Sequence, residues 1–230
     1  MVAPEGLLLV DKPSGVSSFF MVNVLRRRLQ QPKVGHAGTL DPFATGLLVL
    51  LFGRAWTRRS DSFLGCDKEY EATLFLGLAT DTFDRTGQPT GTSPHVPSLD
   101  EVATVLSAFN GEYLQTPPMY SAKKVGGRRL YSLARQGLSV ERPSQRVRIE
   151  TTLCSYEYPS LQLHFRCSKG TYVRSLAHDM GQRLNCGAHL HQLRRTRSGL
   201  FSVEGALTLQ QIDGMDGEAL RTRLLHEVPA

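Results

Sequence analysis

The chain has 230 residues, 40% of them hydrophobic and 21% charged, which is enough for one domain, or one domain plus a small appendage, around a sizeable core. No apolar run approaches the ~20 residues of a membrane helix, and no basic segment precedes the short N-terminal apolar stretch, so neither a membrane span nor a signal peptide is expected. The four cysteines, Cys66, Cys154, Cys167 and Cys186, show no C-x-x-C spacing, which argues against a zinc site or disulfide framework and for a reducing, cytoplasmic compartment.

Gly6 to Val10 reads as a short buried strand. Ser17 or Ser18 caps a helix running to about Gln30, with Val22, Leu25 and Leu29 on one face and Arg26, Arg27 and Arg28 beside it. Gln31 to Gly46 then reads as a loop whose one acid is Asp41, bracketed by Gly35, Gly38 and Gly46. Pro42 disfavours helical backbone at Asp41. The apolar run Leu47 to Phe52 is too short for a helix and reads as a buried strand. A single carboxylate on a stiff loop ahead of such a strand is a site candidate. The plainer reading is a solvent-exposed Asx turn, and spacing alone ranks that first.

Tyr70, Ala72, Leu74 and Leu76 alternate with Glu71, Thr73 and Phe75, a strand pattern. Thr80 to Pro97, rich in Thr, Asp, Gly and Pro, reads as an exposed loop. Ser98 and Glu101 form a capping box that opens a helix ending near Gly111. Arg128 to Gln136 reads as a short basic helix closed by Gly137. Leu161, Leu163, Phe165 and Cys167 alternate along a further strand. Tyr172 to Leu184 reads as a helix after a turn at Gly170, and Leu207 to Leu225 as a Leu-rich helix. There is no internal repeat, and the pattern as a whole is α+β.

The formal net charge is +6. Lys123 to Arg148 carries eight basic residues (Lys123, Lys124, Arg128, Arg129, Arg135, Arg142, Arg146, Arg148) against one acid, Glu141. A second group comprises Arg26, Arg27, Arg28, Lys33, Arg54, Arg58 and Arg59, and a third Arg194, Arg195 and Arg197. One such run is usually a solvated face. Three of them around a glycine-rich acidic loop fit a polyanion, because counterion release drives that affinity. No nucleophile elbow, zinc-protease, Walker or dinucleotide motif is present.

Several segments carry a resemblance that spacing does not. They are Leu7–Ser18 with its Lys12-Pro13-Ser14-Gly15-Val16-Ser17-Ser18 turn, Gly35–Gly46, Asp67–Ala72, Leu76–Asp84, Pro118–Lys124, Cys167–Arg174, Cys186–Leu190 and Leu193–Arg195. In this order, over roughly residues 7 to 200, the chain resembles the TruB family of tRNA pseudouridine synthases. The resemblance implies an α+β pseudouridine synthase fold, a mixed sheet with flanking helices and a long RNA-binding cleft. It implies a catalytic domain over residues 1–202 with a basic RNA-contacting insertion at about 120–148; residues 203–230 read as a short helical tail, a departure from the many bacterial members that carry a PUA domain there.

The same resemblance gives roles to residues. Asp41 matches the catalytic aspartate. Tyr70 matches the tyrosine that stacks on the base and is a candidate general base at C5; by pattern alone it is a core-facing strand residue. Arg174 matches the active-site arginine that keeps a carboxylate ionised; by pattern alone it is an exposed helix arginine. Tyr172 and Leu193 match pocket residues, and His36 the histidine that stacks or wedges where the nucleotide leaves its loop. Lys12 is assigned a supporting or phosphate-contacting role, and Lys123, Lys124, Arg128 and Arg129 contacts to RNA. No metal and no cofactor are implied, because uracil is both leaving group and returning nucleophile. The implied partner is tRNA, through its T-arm and at uridine 55, with no membrane and no obligate protein partner. A synthase with another RNA target and a non-catalytic tRNA-folding protein are the alternatives. The latter does not need Asp41, Tyr70 and Arg174 together.

Overall fold

A computed structural model describes residues 3–121 and 123–228; Ala122, inside the Pro118–Lys124 segment, lies outside the described residues. The chain divides into two compact units, Met1–Tyr70 with Leu193–Ala230, and Glu71–Gln192.

The first unit opens with β1 (Gly6–Lys12), followed by helix α1 (Ser18–Leu29), β2 (Val34–His36) and β3 (Thr45–Phe52). Ser17 caps α1 by accepting from the Phe20 amide, and Gln30 ends it in the left-handed region. β1 and β3 pair antiparallel, from Gly6 opposite Phe52 to Lys12 opposite Gly46. Both faces of this pair are covered. Leu8, Val10, Leu48, Leu50 and Phe52 pack against Met21, Val22, Leu25 and Leu29 of α1. Leu7, Leu47, Val49 and Leu51 pack on the other face against Trp56, Phe63 and Phe201. That double burial is why Leu47–Phe52 is continuously apolar rather than alternating. Two short helices, α2 (Arg54–Thr57) and α3 (Ser60–Leu64), lead to β4 (Lys68–Leu76), whose buried residues alternate from Lys68 through Tyr70 to Leu76.

The second unit begins along β4. The segment read as an exposed loop contains a hairpin, β5 (Leu78–Thr80) with β6 (Pro89–Thr92), and buries Thr80 and Asp84. Its composition matches that of a solvated loop, but Arg85 N and Leu190 N bond across it to Leu190 O and Phe83 O and hold it against the chain. Helix α4 (Leu99–Phe109) has the expected capping box. β7 (Gly111–Gln115) follows. The helix expected from Arg128 to Gln136 is shorter, α5 (Leu130–Ala134), and Arg128 and Arg129 instead form a strand, β9, paired in a hairpin with β8 (Lys124–Val125). Gly126 and Gly127, with φ of 56° and 80°, supply the positive dihedrals of a two-residue hairpin turn. β10 (Gln145–Glu157) pairs antiparallel with β7 and with β11 (Ser160–Cys167). Helix α6 (Val173–Arg183) packs on α4, and β12 (Ala188–Ser198) returns the chain to the first unit.

There β12 runs parallel to β3, with Arg194 opposite Thr45 and Arg195 opposite Gly46. β13 (Phe201–Ser202) pairs with β12, and β14 (Leu207–Thr208) adds parallel to β1. The Leu-rich tail is two short helices, not one: α7 (Leu209–Gly214), capped by Thr208 and Gln211, and α8 (Gly217–Thr222), capped by Asp216. The Asp216 side chain accepts from the Ala219 amide, so the chain restarts a helix at Gly217 instead of continuing α7.

Gly46 marks the tightest point of this unit. Its φ is 99°, and a Cβ placed there would lie 2.3 Å from Arg195 O and 2.7 Å from Arg195 N. Backbone strain and overpacking add at such a site. Gly46→Ala is expected to cost about 2–4 kcal/mol of unfolding free energy, measured by urea denaturation. A loss under about 0.5 kcal/mol, within the range of an ordinary surface substitution, would mean the two strands can part without penalty.

Candidate active site

Asp41 sits in the loop joining β2 to β3, and that loop is fastened from several sides. Lys12 is fully buried at the end of β1. Its Nζ donates to Pro13 O (2.8 Å), Val16 O (2.9 Å) and Pro42 O (3.3 Å), the last being the carbonyl next to Asp41. Gly15 N donates to the same Pro42 O at 2.8 Å, and Ser14 Oγ to Phe43 O at 2.9 Å. Ser18 Oγ accepts from Leu40 N (2.9 Å) and donates to Leu40 O (3.1 Å). Arg195, also buried, donates through Nε to Leu47 O (2.7 Å) and through Nη2 to Gly38 O (3.1 Å). The N-terminal turn and β12 therefore hold the loop on both sides of Asp41.

These contacts favour the supporting one of the two roles expected of Lys12. A phosphate-contacting lysine needs an exposed ammonium, and that of Lys12 is enclosed by carbonyl oxygens of the loop and the N-terminal turn. Burial pushes its pKa down to about 8; the Asp41 carboxylate opposes the shift, and Arg195 adds to it. His36 ends β2 half-buried. Burial, and secondarily the Arg195 charge, lower its pKa, so the ring is neutral at neutral pH. Its Nδ1 is buried and has no hydrogen-bond partner among the described residues. Tyr70 lies on the buried face of β4 at 8% exposure. Leu193 is buried as well, and its carbonyl accepts from Thr45 Oγ1 at 3.4 Å.

Arg174 and Tyr172 belong to the second unit. Arg174 is not an exposed helix residue: it is 5% exposed in the first turn of α6. Its Nη1 lies 3.6 Å from Asp84 Oδ2 and donates to Thr82 O at 3.2 Å, while Nη2 donates to Tyr120 O at 2.8 Å. Asp84 Oδ1 also accepts from Thr82 Oγ1 (2.9 Å), Thr86 N (2.9 Å) and Thr86 Oγ1 (2.5 Å). Sequence reasoning passed over Asp84. Its signal was Thr82-x-Asp84-x-Thr86, an Asp whose neighbours two residues away on each side can bond its carboxylate. Phe83 between them adopts φ 64° and stacks on His178 at 3.9 Å. Tyr172 is fixed through its backbone: its N donates to Gln115 Oε1 (2.8 Å) and its O accepts from Gln115 Nε2 (3.1 Å).

The basic residues divide into two kinds. Lys124, Arg128 and Arg129 are exposed on the β8–β9 hairpin, and half-buried Lys123 donates to Gln145 Oε1 at 3.1 Å. In the first unit much of the charge is internal. Arg28 donates to Ile212 O, Asp213 O and Met215 O at the end of α7. Lys68 donates to Phe63 O, Leu64 O and Cys66 O at the end of α3. Arg194 forms a two-pronged pair with Asp11 at 3.0 and 2.7 Å. The third basic run therefore presents less free charge than its sequence suggests. Among the described residues no group of three or more His, Cys, Asp or Glu could hold a metal, and no helix is long and apolar enough to cross a membrane.

Lys12→Met would remove the side-chain donor from Pro13 O and Val16 O and one of the two donors to Pro42 O, with an expected cost of about 2–4 kcal/mol. The pH dependence has a defined sign. The folded ammonium titrates near 8 and the unfolded one near 10.5. Between those values the unfolded chain holds more protons, so the contribution of this lysine to stability rises with pH. The stability of wild type minus Lys12→Met, from urea melts at pH 7 to 10, should grow above pH 8. A flat or falling difference would contradict the burial of this charge.

Comparison with known proteins follows the same outline. The family model for the N-terminal domain of the TruB family pseudouridylate synthases matches residues 26–173, and the one for the C-terminal domain of tRNA pseudouridylate synthase B matches residues 174–226. The chain is 52% identical over 208 residues to tRNA pseudouridine synthase B of Protochlamydia amoebophila, covering 90% of this chain and 79% of that protein. It is 54% identical over 210 residues to the protein of that name from Chlamydia trachomatis serovar L2, covering 91% and 85%. Among solved structures it is similar to a chain of a Cbf5-Nop10-Gar1 complex, with a TM-score of 0.71 and 29% identity over 96% of this chain and 59% of that one. This chain belongs to the TruB family of pseudouridylate synthases.

Proposed function

We propose that this protein isomerises uridine to pseudouridine in tRNA, at uridine 55 of the T-loop. The observation that carries the reading is the fastening of the loop bearing Asp41, whose neighbours Leu40 and Pro42 are each tied to the N-terminal turn. The reaction breaks the N1–C1′ bond, turns the uracil and forms a C5–C1′ bond. The proton lost from C5 is balanced by one gained at N1, so no co-reactant is consumed. The target must leave its stack, at a cost of a few kcal/mol, and a carboxylate already held in position avoids a further ordering cost at that moment.

In this reading Asp41 acts on the ribose, Tyr70 stacks on the extruded base and is the candidate base for the C5 proton, and Arg174 governs the charge of the site. Leu193 and Tyr172 keep the base-contacting roles that the resemblance gives them. His36, neutral, fills the gap the nucleotide leaves. Arg174 is paired with a buried carboxylate, Asp84, which fixes the direction of its guanidinium. Lys123, Lys124, Arg128 and Arg129 supply phosphate contacts from the T-arm. A basic hairpin suits this, because its charges stand on a turn that can follow a curved backbone.

Incubation with unmodified tRNA transcript, followed by mapping of pseudouridine, tests the reading directly. Wild type should convert one T-loop uridine. Asp41→Asn should form no product in a single turnover, with tRNA affinity within a few-fold of wild type. Tyr70→Phe should bind tRNA better than Tyr70→Leu, yet stall after the base is detached if the hydroxyl moves the proton. Near-normal turnover in both Tyr70 variants would reduce Tyr70 to a strand residue. Neutralising Lys123, Lys124, Arg128 and Arg129 together should weaken binding and lower the slope of log affinity against log salt by about 3. An unchanged slope would show these side chains to be a solvated face only.

A further inference from the structure

Helix α1 opens with two phenylalanines that the core does not use. Phe19 is 60% exposed and Phe20 43%, while Met21, Val22, Leu25 and Leu29 of the same helix are buried. Leaving a phenylalanine ring in water forgoes roughly 1.5–3 kcal/mol of burial. The Phe19 face continues through Asn23 and Arg26, four and seven residues on, so the three side chains form one stripe. Arg26 is ordered within it: Nη2 donates to Asn23 Oδ1 at 2.6 Å, and the guanidinium lies 5.8 Å from the Phe19 ring centre. Arg27 is exposed beside it, one helical repeat after Phe20. Arg28 takes no part, because its guanidinium is used at the end of α7.

Two features select the partner. Residues 12 to 40 carry no acid; of their five basic side chains Lys12 and Arg28 are spent on main-chain carbonyls, and Arg26, Arg27 and Lys33 remain to make the surroundings of the stripe favour a polyanion. Rings flanked by guanidiniums are what an unpaired nucleotide needs, with its base on a ring and its phosphates on the cations. The stripe is also tied to the Asp41 loop. Ser18, the residue before Phe19, exchanges two hydrogen bonds with Leu40, the residue before Asp41. Chain geometry alone then holds the Phe19 and Asp41 Cα atoms within about 15 Å, roughly four nucleotides of a stacked strand.

We propose that the Phe19–Arg26 stripe is a second RNA-contacting surface. An unpaired base of the tRNA close to the target uridine stacks on Phe19 or Phe20, and the phosphates beside it meet Arg26 and Arg27. The inference rests on the proposed tRNA substrate and adds to it a contact remote from the reacting atoms. An acidic protein segment on the same stripe is the competing occupant; it would leave tRNA affinity unchanged by mutation.

The test uses the full chain and unmodified tRNA. Phe19→Ala with Phe20→Ala should raise the Kd at least tenfold, and should leave the single-turnover rate at saturating RNA within about threefold. Phe19→Tyr with Phe20→Tyr should keep the Kd within about threefold, because the stacking faces remain. Arg26→Gln with Arg27→Gln should lower the salt slope by about 2, whereas the alanine pair should not change it. Melting temperatures of the phenylalanine variants should match wild type, since both side chains are exposed. If wild type modifies the transcript and the alanine pair binds it within twofold, this surface is wrong and the proposed function stands. If wild type makes no pseudouridine, the proposed function falls, and the affinity comparison still decides the stripe.

Discussion

Two buried cations whose donors are taken by main-chain oxygens hold the first unit in its working shape. Moving an ammonium or guanidinium out of water costs several kcal/mol unless its donors are satisfied. Lys12 and Arg195 meet that cost with carbonyls from both ends of the Asp41 loop and from β3. The Asp41 loop buries Ala37, Leu40, Phe43 and Ala44, but apolar burial is non-directional and does not by itself fix the backbone. The cations add directional bonds to that anchor, and the loop cannot shift without stranding a buried charge. The Asp41 carboxylate adds its own attraction to Lys12. Gly46 completes the arrangement by admitting the Arg195 backbone, which no side chain at that position would allow.

The second unit uses a different solution to the same problem. Arg174 is neutralised by a carboxylate, Asp84, and not by carbonyls alone. Asp84 is in turn held by Thr82 and Thr86, and the loop around it by the Phe83–His178 stack and by Leu190. Breaking one partner of such a buried pair is costly because it leaves the other charge uncompensated. That cost fixes the direction of the guanidinium and gives the segment 82–86 a conformation its composition would not enforce.

The extent to which these features can be read from sequence follows from where the information lies. Helix α1, helix α4, helix α6 and strands β3, β4 and β11 were legible because caps and periodicity are local. The Leu47–Phe52 run was legible as a strand, and its unbroken apolarity is explained by core on both faces. Asp84 was not, since a Thr/Asp/Gly-rich segment looks the same whether it faces water or an arginine 90 residues away in sequence. The β8–β9 hairpin was missed although Gly126-Gly127 announces it; the neighbouring basic and leucine residues gave a competing helical pattern. The tail was read as one helix because its leucines recur at helical spacing, while Asp216 quietly restarts it. Charge was the least reliable guide. Lys12, Lys68, Arg28 and Arg195 count toward a basic surface in the sequence, and all four spend their donors on backbone carbonyls. The roles of Asp41, Tyr70 and Arg174 came from resemblance; no local pattern distinguishes them from a turn, a strand and a helix residue.

The internal use of cations bears on how RNA recognition is divided over the chain. Counterion release favours any polyanion, so exposed charge gives affinity and rate without selecting a nucleotide. Charge committed to carbonyls gives none of this, but it makes the Asp41 loop stiff. On the role proposed for Asp41, a stiff loop selects by geometry: only a uridine that can leave its stack and reach that carboxylate would be a competent substrate. Exposed charge on the β8–β9 hairpin can therefore be tolerant of sequence while the loop is strict about shape. The aromatic rings of α1 stand between these extremes, since stacking requires an unpaired base but accepts any of the four. Because Ser18 links those rings to Leu40, a base captured on α1 would be registered against Asp41 through two hydrogen bonds, and shape would be read at a distance from the chemistry as well as at it.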